Sequence, residues 1–422
     1  MTIGIDFGTT NSVLALASPE PEDGVRVARH DGDDNGGNFR SILCFIKDGT
    51  RPVVKAGPAA VTAYLEQGGD CRLIQSVKSL AANPNFTQTY IFGRKYTVED
   101  LVAEILKGLR ASAEKDVGPL GGDVTAGRPV RFAGQFVDED LALQRLSRAF
   151  GLAGFDEVSF VAEPLAAAHK FAGRMTSPKT CVFADFGGGT SDFSLVRFIP
   201  DTDRLRMETL ATSGVGIAGD RLDYRIIEHV VCPKLGLGSH YDSMGKRLPI
   251  PTHYYARFQR WSDLSFLRAP DILRELRSLM RMSEEPETLE RLIYIIEEEL
   301  GFDLYRAVSG AKARLSSEET ATLEFRHGPV QICEEITRDA FNEWIAGDLA
   351  KIDAEIDRLF ASSGIEAGEV DQVFMIGGTS FVPAIRQLVA ARFPVAEFSA
   401  EDEFVSVGAG LALFAREHAE AA

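Results

Sequence analysis

Two stretches of the chain repeat one hydrophobic pattern. Gly4-Ile5-Asp6-Phe7-Gly8-Thr9-Thr10-Asn11-Ser12-Val13-Leu14-Ala15 and Phe183-Ala184-Asp185-Phe186-Gly187-Gly188-Gly189-Thr190-Ser191-Asp192-Phe193-Ser194 each pass from an apolar strand, through an Asp and a Gly/Thr turn, into a second alternating strand. Such a run predicts a β-hairpin whose tip exposes backbone N–H groups. Its recurrence predicts two related lobes. Apolar residues at helical spacing predict helices over 98–113, 141–150 and 163–171, and 158–161 reads as a short strand.

This pattern predicts an α/β fold of duplicated lobes: lobe I over 1–171, with a small insert at about 39–97, and lobe II over 172–403. The Gly/Ser/Pro break at 173–179 marks the expected boundary and a hinge candidate. From 254 to 315 the pattern turns wholly helical. Arg257, Arg260, Arg268, Arg274, Arg277 and Arg281 precede a strongly acidic 284–299, so a helical insert is expected over about 233–305. Alternation returns at Val373-Phe374-Met375-Ile376-Gly377-Gly378, and a helix from about 404 to 416, within 404–422, is expected to pack back toward the hinge.

Composition narrows the function classes. At 422 residues the chain exceeds one ordinary core of about 100–200 residues, which agrees with two lobes. With 45 Lys+Arg against 62 Asp+Glu the net charge is −17, the wrong sign for a general binder of nucleic acid or anionic membrane. The scattered Cys44, Cys71, Cys181, Cys232 and Cys333 suggest neither a zinc site nor a disulfide framework, and a reducing cytosol suits them. The chain opens on Met1-Thr2-Ile3-Gly4 without a basic or apolar leader, and no apolar run approaches the roughly 18 residues of a membrane span. A cytoplasmic protein is expected.

The repeated turns point to phosphate. Gly8-Thr9-Thr10 and Gly187-Gly188-Gly189-Thr190 let consecutive N–H groups approach anionic oxygens without intervening Cβ atoms. Asp6 and Asp185, at the strand ends, would repel bare phosphate. Mg²⁺, which keeps several waters and is held through one or two carboxylates beside substrate phosphates, reconciles the signs. Gly214-Val215-Gly216-Ile217-Ala218-Gly219 matches a dinucleotide fingerprint in letters only, because Cys232-Pro233-Lys234-Leu235-Gly236-Leu237-Gly238 follows in place of a strand ending in an acid. The two Asp-Phe-Gly triplets lack the other protein-kinase motifs, and Gly245-Lys246 lacks Walker spacing. On local evidence Lys78 reads as a surface lysine, Glu163-Pro164 as a helix start, and the Arg run as a solvated face. His169, Tyr254, Tyr255, Phe258 and Trp261 read as packing.

The order of these motifs resembles the ATPase domain of the DnaK-type heat-shock chaperones, within the actin-like (ribonuclease H-like) ATPase superfamily, over almost the whole chain. The short YegD-like members are the most similar. Asp6 to Ser12 looks like the first phosphate loop, Val77-Lys78-Ser79-Leu80 the catalytic-lysine segment, Ala162-Glu163-Pro164-Leu165 the connecting motif, and Asp185 to Thr190 the second loop. Ala311-Lys312-Ala313-Arg314-Leu315-Ser316-Ser317 and Gly377-Gly378-Thr379-Ser380-Phe381-Val382-Pro383 look like the adenosine segments.

The resemblance implies a cleft that binds Mg-ATP and slowly hydrolyses it to ADP and phosphate. It implies catalytic roles for Lys78, Glu163, Asp185 and Thr190, and Mg²⁺ held largely through water by Asp6, Asp185 and Asp192. Nucleotide contacts are implied for Gly8, Thr9, Thr10, Asn11, Gly187, Gly188, Gly189, Thr190, Gly219, Lys312, Ser316, Gly377, Gly378, Thr379 and Phe381. Ala313 and Phe381 stand where many relatives carry arginines beside adenine, Ser309 where they carry a ribose-binding glutamate, and Gly127-Arg128-Pro129-Val130 where they carry a T-V-P-A-like strand end. After Phe414-Ala415 too little follows for a peptide-binding half, so a monomer without peptide clamping in cis is expected. A protein partner is expected on the 254–305 insert. The alternative is a nucleotide-binding structural switch or scaffold that polymerises and hydrolyses little.

Overall fold

The computed structural model describes residues 1–20, 24–31, 37–49, 51–67, 71–132, 137–172, 177–200, 205–259, 261–399 and 406–419. Residues 173–176 of the expected break, Arg260 and Phe404 lie outside these. The contacts divide the chain into two units: Met1–Ala218 with Lys351–Ser380 and Ile385–Ala422, and Gly219–Ala350 with Phe381–Ala384.

Two large sheets organise the first unit, and the first of them carries a sixth, two-residue strand (Phe39–Arg40) paired with Asn11 and Ser12. Strands β1 (Thr2–Phe7), β2 (Asn11–Ala17), β3 (Val25–Val27), β4 (Val124–Arg128) and β5 (Val158–Ala162) lie in the order β5-β4-β1-β2-β3. Strands β6 (Lys179–Phe186), β7 (Ser191–Pro200), β8 (Leu205–Val215), β9 (Gln372–Ile376) and β10 (Glu397–Ser399) lie in the order β8-β7-β6-β9-β10. In each, three antiparallel strands lead into two parallel ones, so order and strand senses match. Both expected hairpins form, with Phe7 opposite Ser12 and Phe186 opposite Ser191. The central strand β6 is buried almost throughout, as suits a strand covered on both faces.

The helices appear where periodicity placed them. Helix α1 (Val98–Val117) starts at a reciprocal Thr97/Asp100 capping box, and α2 (Glu139–Leu152) at Asp138, whose carboxylate accepts from the Leu141 N–H. Helix α3 (Glu163–Ala172) follows β5 directly, and α4 (Ser406–Ala419) packs on α3, β1, β2 and β4. Because α3 also packs on β6 and β7, the helix pair ties the two sheets into one unit, and residue 172, the expected lobe boundary, lies inside it. The span 39–97 carries a small antiparallel sheet (Val53–Ala56, Ile42–Ile46, Cys71–Gln75) and a hairpin (Gln88–Ile91, Arg94–Thr97).

The α3–α4 contact depends on small residues. A Cβ at Gly410 would overlap the Ala166 carbonyl, and one at Gly408 would come within 2.8 Å of Val13 Cγ1. Thr2 Oγ1 donates to the Ala412 carbonyl at 2.8 Å, and the buried His169 ring meets Phe414 edge-on at 4.9 Å. Since a backbone carbonyl cannot swing aside as a side chain can, Gly410→Ala is expected to destabilise the fold by about 1–3 kcal/mol, the usual cost of overpacking. A urea titration tests it, and an unchanged midpoint would show that α4 can shift without cost.

The second unit begins with helix Gly219–Ile226, which passes into a π-helical turn over Ile227–Val231. The helical stretch forms as expected, with Pro270–Met282, Pro286–Glu297 and Gly301–Leu315. Tyr254, Tyr255 and Phe258 are buried packing residues. Two hairpins in this unit, His240–Ser243 with Lys246–Pro249 and Thr320–His327 with Val330–Thr337, were not anticipated. The described arginines of the Arg-rich stretch are exposed, as a solvated face requires, and two of them pair across the surface, Arg268 with Glu299 and Arg277 with Glu297. Nearby, Arg247 donates twice to Glu284, at 2.7 and 2.8 Å. Among the described residues no helix is long and apolar enough to cross a membrane.

Candidate functional site

Three turns meet at one end of the first unit. The second hairpin closes through Gly187 N–H to the Thr190 carbonyl at 3.0 Å. The first hairpin tip lies beside it, since a Cβ at Gly189 would stand 3.4 Å from Thr9 Oγ1. The third turn follows β9, the parallel neighbour of β6. There Gly377 adopts φ +81°, and a Cβ would come within 2.9 Å of Asp185 Oδ1, so only glycine suits the position. Thr379 Oγ1 then donates to the Gly187 carbonyl at 2.8 Å, tying the third turn to the second. Thr10 Oγ1 is buried without a hydrogen-bond partner, a polar atom left for a ligand oxygen.

Beneath these turns lie the carboxylates. β1 delivers Asp6 and β6 delivers Asp185, opposite Asp192 on β7, while Glu163 opens α3 immediately after β5. Lys78 sits in a short 3₁₀ turn (Val77–Leu80) preceded by Ser76 at φ +56°. Its Nζ donates to Glu163 Oε1 at 2.6 Å, with both side chains buried, so the surface-lysine reading is corrected. Gly127 on β4 leaves room for the pair: a Cβ there would stand 3.1 Å from Glu163 Cγ and 3.7 Å from Asp6 Oδ1.

Asp192 is held from two sides. Its Oδ1 accepts the N–H groups of Val130 (3.0 Å) and Arg131 (3.3 Å), which places the 127–130 segment against the site. A Cβ at Gly214 on β8 would come within 2.5 Å of the same oxygen. The first glycine of the fingerprint-like run therefore makes room for a carboxylate in an antiparallel strand, and no dinucleotide turn forms there.

The electrostatics are lopsided. Burial, then the charge of Glu163, pushes the Asp6 carboxyl up to about 7 against the opposing pull of Lys78. Burial and Glu163 likewise push Asp192 up to about 7, although hydrogen bonds from Thr190, Arg131 and Val130 work the other way. Asp185 is raised well above the ordinary carboxylate range by burial and by its three acidic neighbours. Burial disfavours the Lys78 ammonium, yet Glu163, Asp6 and Asp192 together hold it above its usual value.

Four acidic side chains thus face one ammonium, and the site is short of positive charge. Among the described residues no three or more His, Cys, Asp or Glu side chains are arranged to grasp a metal directly. Carboxylates too spread for direct ligation but crowded enough to resist ionisation fit a hydrated divalent cation such as Mg²⁺, which binds partly through its own waters.

The structure brings Asp6, Gly8, Thr9, Thr10, Asn11, Lys78, Glu163, Asp185, Gly187, Gly188, Gly189, Thr190, Asp192, Gly377, Gly378 and Thr379 into the first unit. Gly219, Lys312, Ser316 and Phe381 belong to the second. There Lys312 Nζ lies 2.9 Å from Asp223 Oδ1 and donates to the Gly219 carbonyl at 3.0 Å, so these two predicted residues meet each other. Ser316 caps the helix Gly301–Leu315, and Phe381 is exposed. Sequence reasoning named Gly127 only as part of the strand end at 127–130, missing its close approach to Glu163, and passed over Arg145, which lies buried on α2. A glycine inside a strand signals a close approach; the arginine, on an amphipathic helix, gave no signal.

The family model described as Hsp70 protein matches residues 72–235 and 298–415, well over half of the chain. The matched segments contain Lys78, Glu163, the whole second hairpin, Lys312 and the Gly377–Thr379 turn, whereas the unmatched 236–297 carries a hairpin and two helices of the second unit. On the match and the site together, the chain belongs to the Hsp70 family.

Proposed function

We propose that the chain is a DnaK-like ATPase of the YegD-like kind that binds Mg-ATP and slowly hydrolyses it to ADP and phosphate, acting as a cytoplasmic, monomeric chaperone or chaperone-like regulator through nucleotide-driven lobe closure. One observation carries this reading: a cation-deficient set of four carboxylates around Lys78, Glu163 and Asp192 buried and Asp6 and Asp185 half-buried, directly below adjacent glycine-rich turns. The repeated strand order supports duplicated actin-like lobes over 1–171 and 172–403; within the helical insert at about 233–305, the stretch 254–305 is the docking face for a protein partner.

The roles follow from position. Backbone N–H groups of 8–11 and 188–190 receive the phosphate oxygens, and the Thr10 and Thr190 hydroxyls orient them. Lys78 offsets charge that develops on the transferred phosphoryl group, and Glu163 holds the ammonium in place. Asp6, Asp185 and Asp192 would hold the hydrated Mg²⁺, which supplies neutralisation of phosphate charge when bound. A carboxylate of this set that is ionised but not committed to the metal would also suit accepting a proton from the attacking water.

Calorimetric titration of ATP with Mg²⁺, followed by phosphate-release measurements, tests the proposal; absence of ATP binding would sink it. The same titration with GTP reads base selectivity. Ala313, Phe381 and Ser309 stand in place of the usual partners, so neither of the two arginine positions offers a guanidinium to stack on the base. The expected ATP preference over GTP is below about tenfold, since a desolvated cation–π contact is worth about 2 kcal/mol. A strong preference would mean that other residues recognise adenine.

A further inference from the structure

We infer that Arg145 is a positioning residue for Lys78, acting on the loop that carries the lysine; the catalytic half of this inference rests on the proposed ATPase function. Arg145 lies on α2 with 7% of its surface exposed. Its Nη1 donates to the carbonyls of Leu80 (3.2 Å), Ala81 (3.0 Å) and Asn83 (2.9 Å), and its Nη2 to that of Phe86 (2.9 Å). Among the described residues no carboxylate pairs with it. A buried guanidinium, which cannot shed its proton, is therefore compensated by main-chain dipoles alone, all from the seven residues that begin with the last residue of the Lys78 turn.

This arrangement resembles a cation chelated by a loop. Residues 81–87 belong to no strand or helix, and their internal hydrogen bonds are only isolated turns, such as Asn83 N–H to Leu80 C=O at 3.1 Å. Alone, such a segment has little reason to keep one conformation. The guanidinium holds four of its carbonyls, and the Asp138 N–H adds that of Ala82 at 2.9 Å, so that α2 and its cap hold the loop.

At the other end, Ser76 stands in the left-handed region and Ser79 Oγ donates to its carbonyl at 2.7 Å. Lys78 is clamped between these two anchors. Its 2.6 Å contact with Glu163 spans 85 residues of sequence and needs the turn in one place. Structural convergence on a single arginine, on a different element, is thus what aims the ammonium at the carboxylates.

Two variants test this. Arg145→Met keeps the bulk and removes every donor; Arg145→Lys keeps a charge and three donors without the planar fork. In nucleotide-free protein, acylation of lysines followed by peptide mass spectrometry reads whether Lys78 is held. Lys312, half-buried and paired with Asp223, serves as the internal control.

Lys78 in Arg145→Met is expected to react about tenfold faster than in the wild type, with Lys312 unchanged and Arg145→Lys between them, since hydrogen bonds to a charged group are individually strong. Under saturating Mg-ATP, kcat is expected to fall about 10- to 100-fold, because displacements near 1 Å carry such penalties, while the ATP Kd stays within about threefold. Unchanged Lys78 labelling in whichever variants fold overturns the inference. So does parallel acceleration at Lys78 and Lys312, which would mean general loosening. If the wild type hydrolyses no ATP, the proposed function falls and the labelling alone decides whether Arg145 places Lys78.

Discussion

Lys78→Ala is expected to slow phosphate release by about a thousandfold, the upper range for removing one preorganised charge from a transition state. In the first unit the Lys78 ammonium is the cation that pairs with Glu163, and Asp6 and Asp185 feel its charge as well. Without it the charge developing on the phosphoryl group faces four acidic neighbours and loses the ammonium that pairs with Glu163. Binding should suffer far less, because the phosphates are received by backbone N–H groups of the two hairpin tips.

The variant should also remain folded. Removing one partner of a buried ion pair ordinarily costs about 3–5 kcal/mol, but here the surrounding carboxyls can take up a proton near neutral pH and so shed the stranded charge. Single-turnover phosphate release from preloaded ATP reads the chemical step directly. Equal rates for the two proteins would remove Lys78 from the mechanism.

Affinity for Mg-nucleotide is expected to rise steeply between pH 6 and 8. A carboxyl lifted from 3.8 to about 7 keeps its proton in the folded protein after the unfolded chain has released its own. The metal-free fold therefore loses stability as pH rises from about 4 to 7 and levels off above that, since in this window the native state binds more protons. A divalent cation needs these carboxyls ionised, so its binding expels the protons. One group titrating at about 7 is about a tenth ionised at pH 6 and nine tenths at pH 8, which makes about tenfold in affinity, or a hundredfold if Asp6 and Asp192 both release.

The nucleotide's own phosphate also titrates near pH 6. Asp192→Asn separates the two contributions, because it should flatten the protein's share of the slope and leave the ligand's. Calorimetry in buffers of different ionisation enthalpy counts the released protons. An affinity independent of pH above 7, with no proton release at pH 7, would mean that the carboxylates are already ionised without a metal.

What the sequence made legible was local. An Asp at a strand end followed by glycines and threonines determines a hairpin with exposed amides, and both expected hairpins form. Helix α1 was legible because Thr97 and Asp100 cap it and apolar residues recur along one face. Lys78 was not, since its burial comes from a contact with Glu163, 85 residues away, and nothing in Val77-Lys78-Ser79-Leu80 announces that partner. It stood out only through family resemblance.

Arg145 shows the same limit more sharply. Its ligands are carbonyls, which every residue possesses, so no side-chain pattern marks the site. The hairpins in the second unit were obscured differently. His240–Ser243 and Lys246–Pro249 alternate only weakly, and their turn is built by Met244 and Gly245 at positive φ, a conformation that methionine does not advertise.

Helix α4 lies against β1, yet the two are separated by almost the whole chain: Thr2 bonds to Ala412 across 410 positions. During synthesis at about 5–20 residues per second, that interval lasts about 20–80 seconds. For that time the β1–β2 hairpin exists without the helix that covers it, and Ile3, Ile5 and Val13 lack part of the packing they have in the finished fold. A nascent chain is therefore obliged to wait with an apolar sheet face showing, and the phosphate-binding half matures only after its last helix has been made. For a member of a chaperone family, this is a folding problem of the kind in which other chaperones are usually engaged.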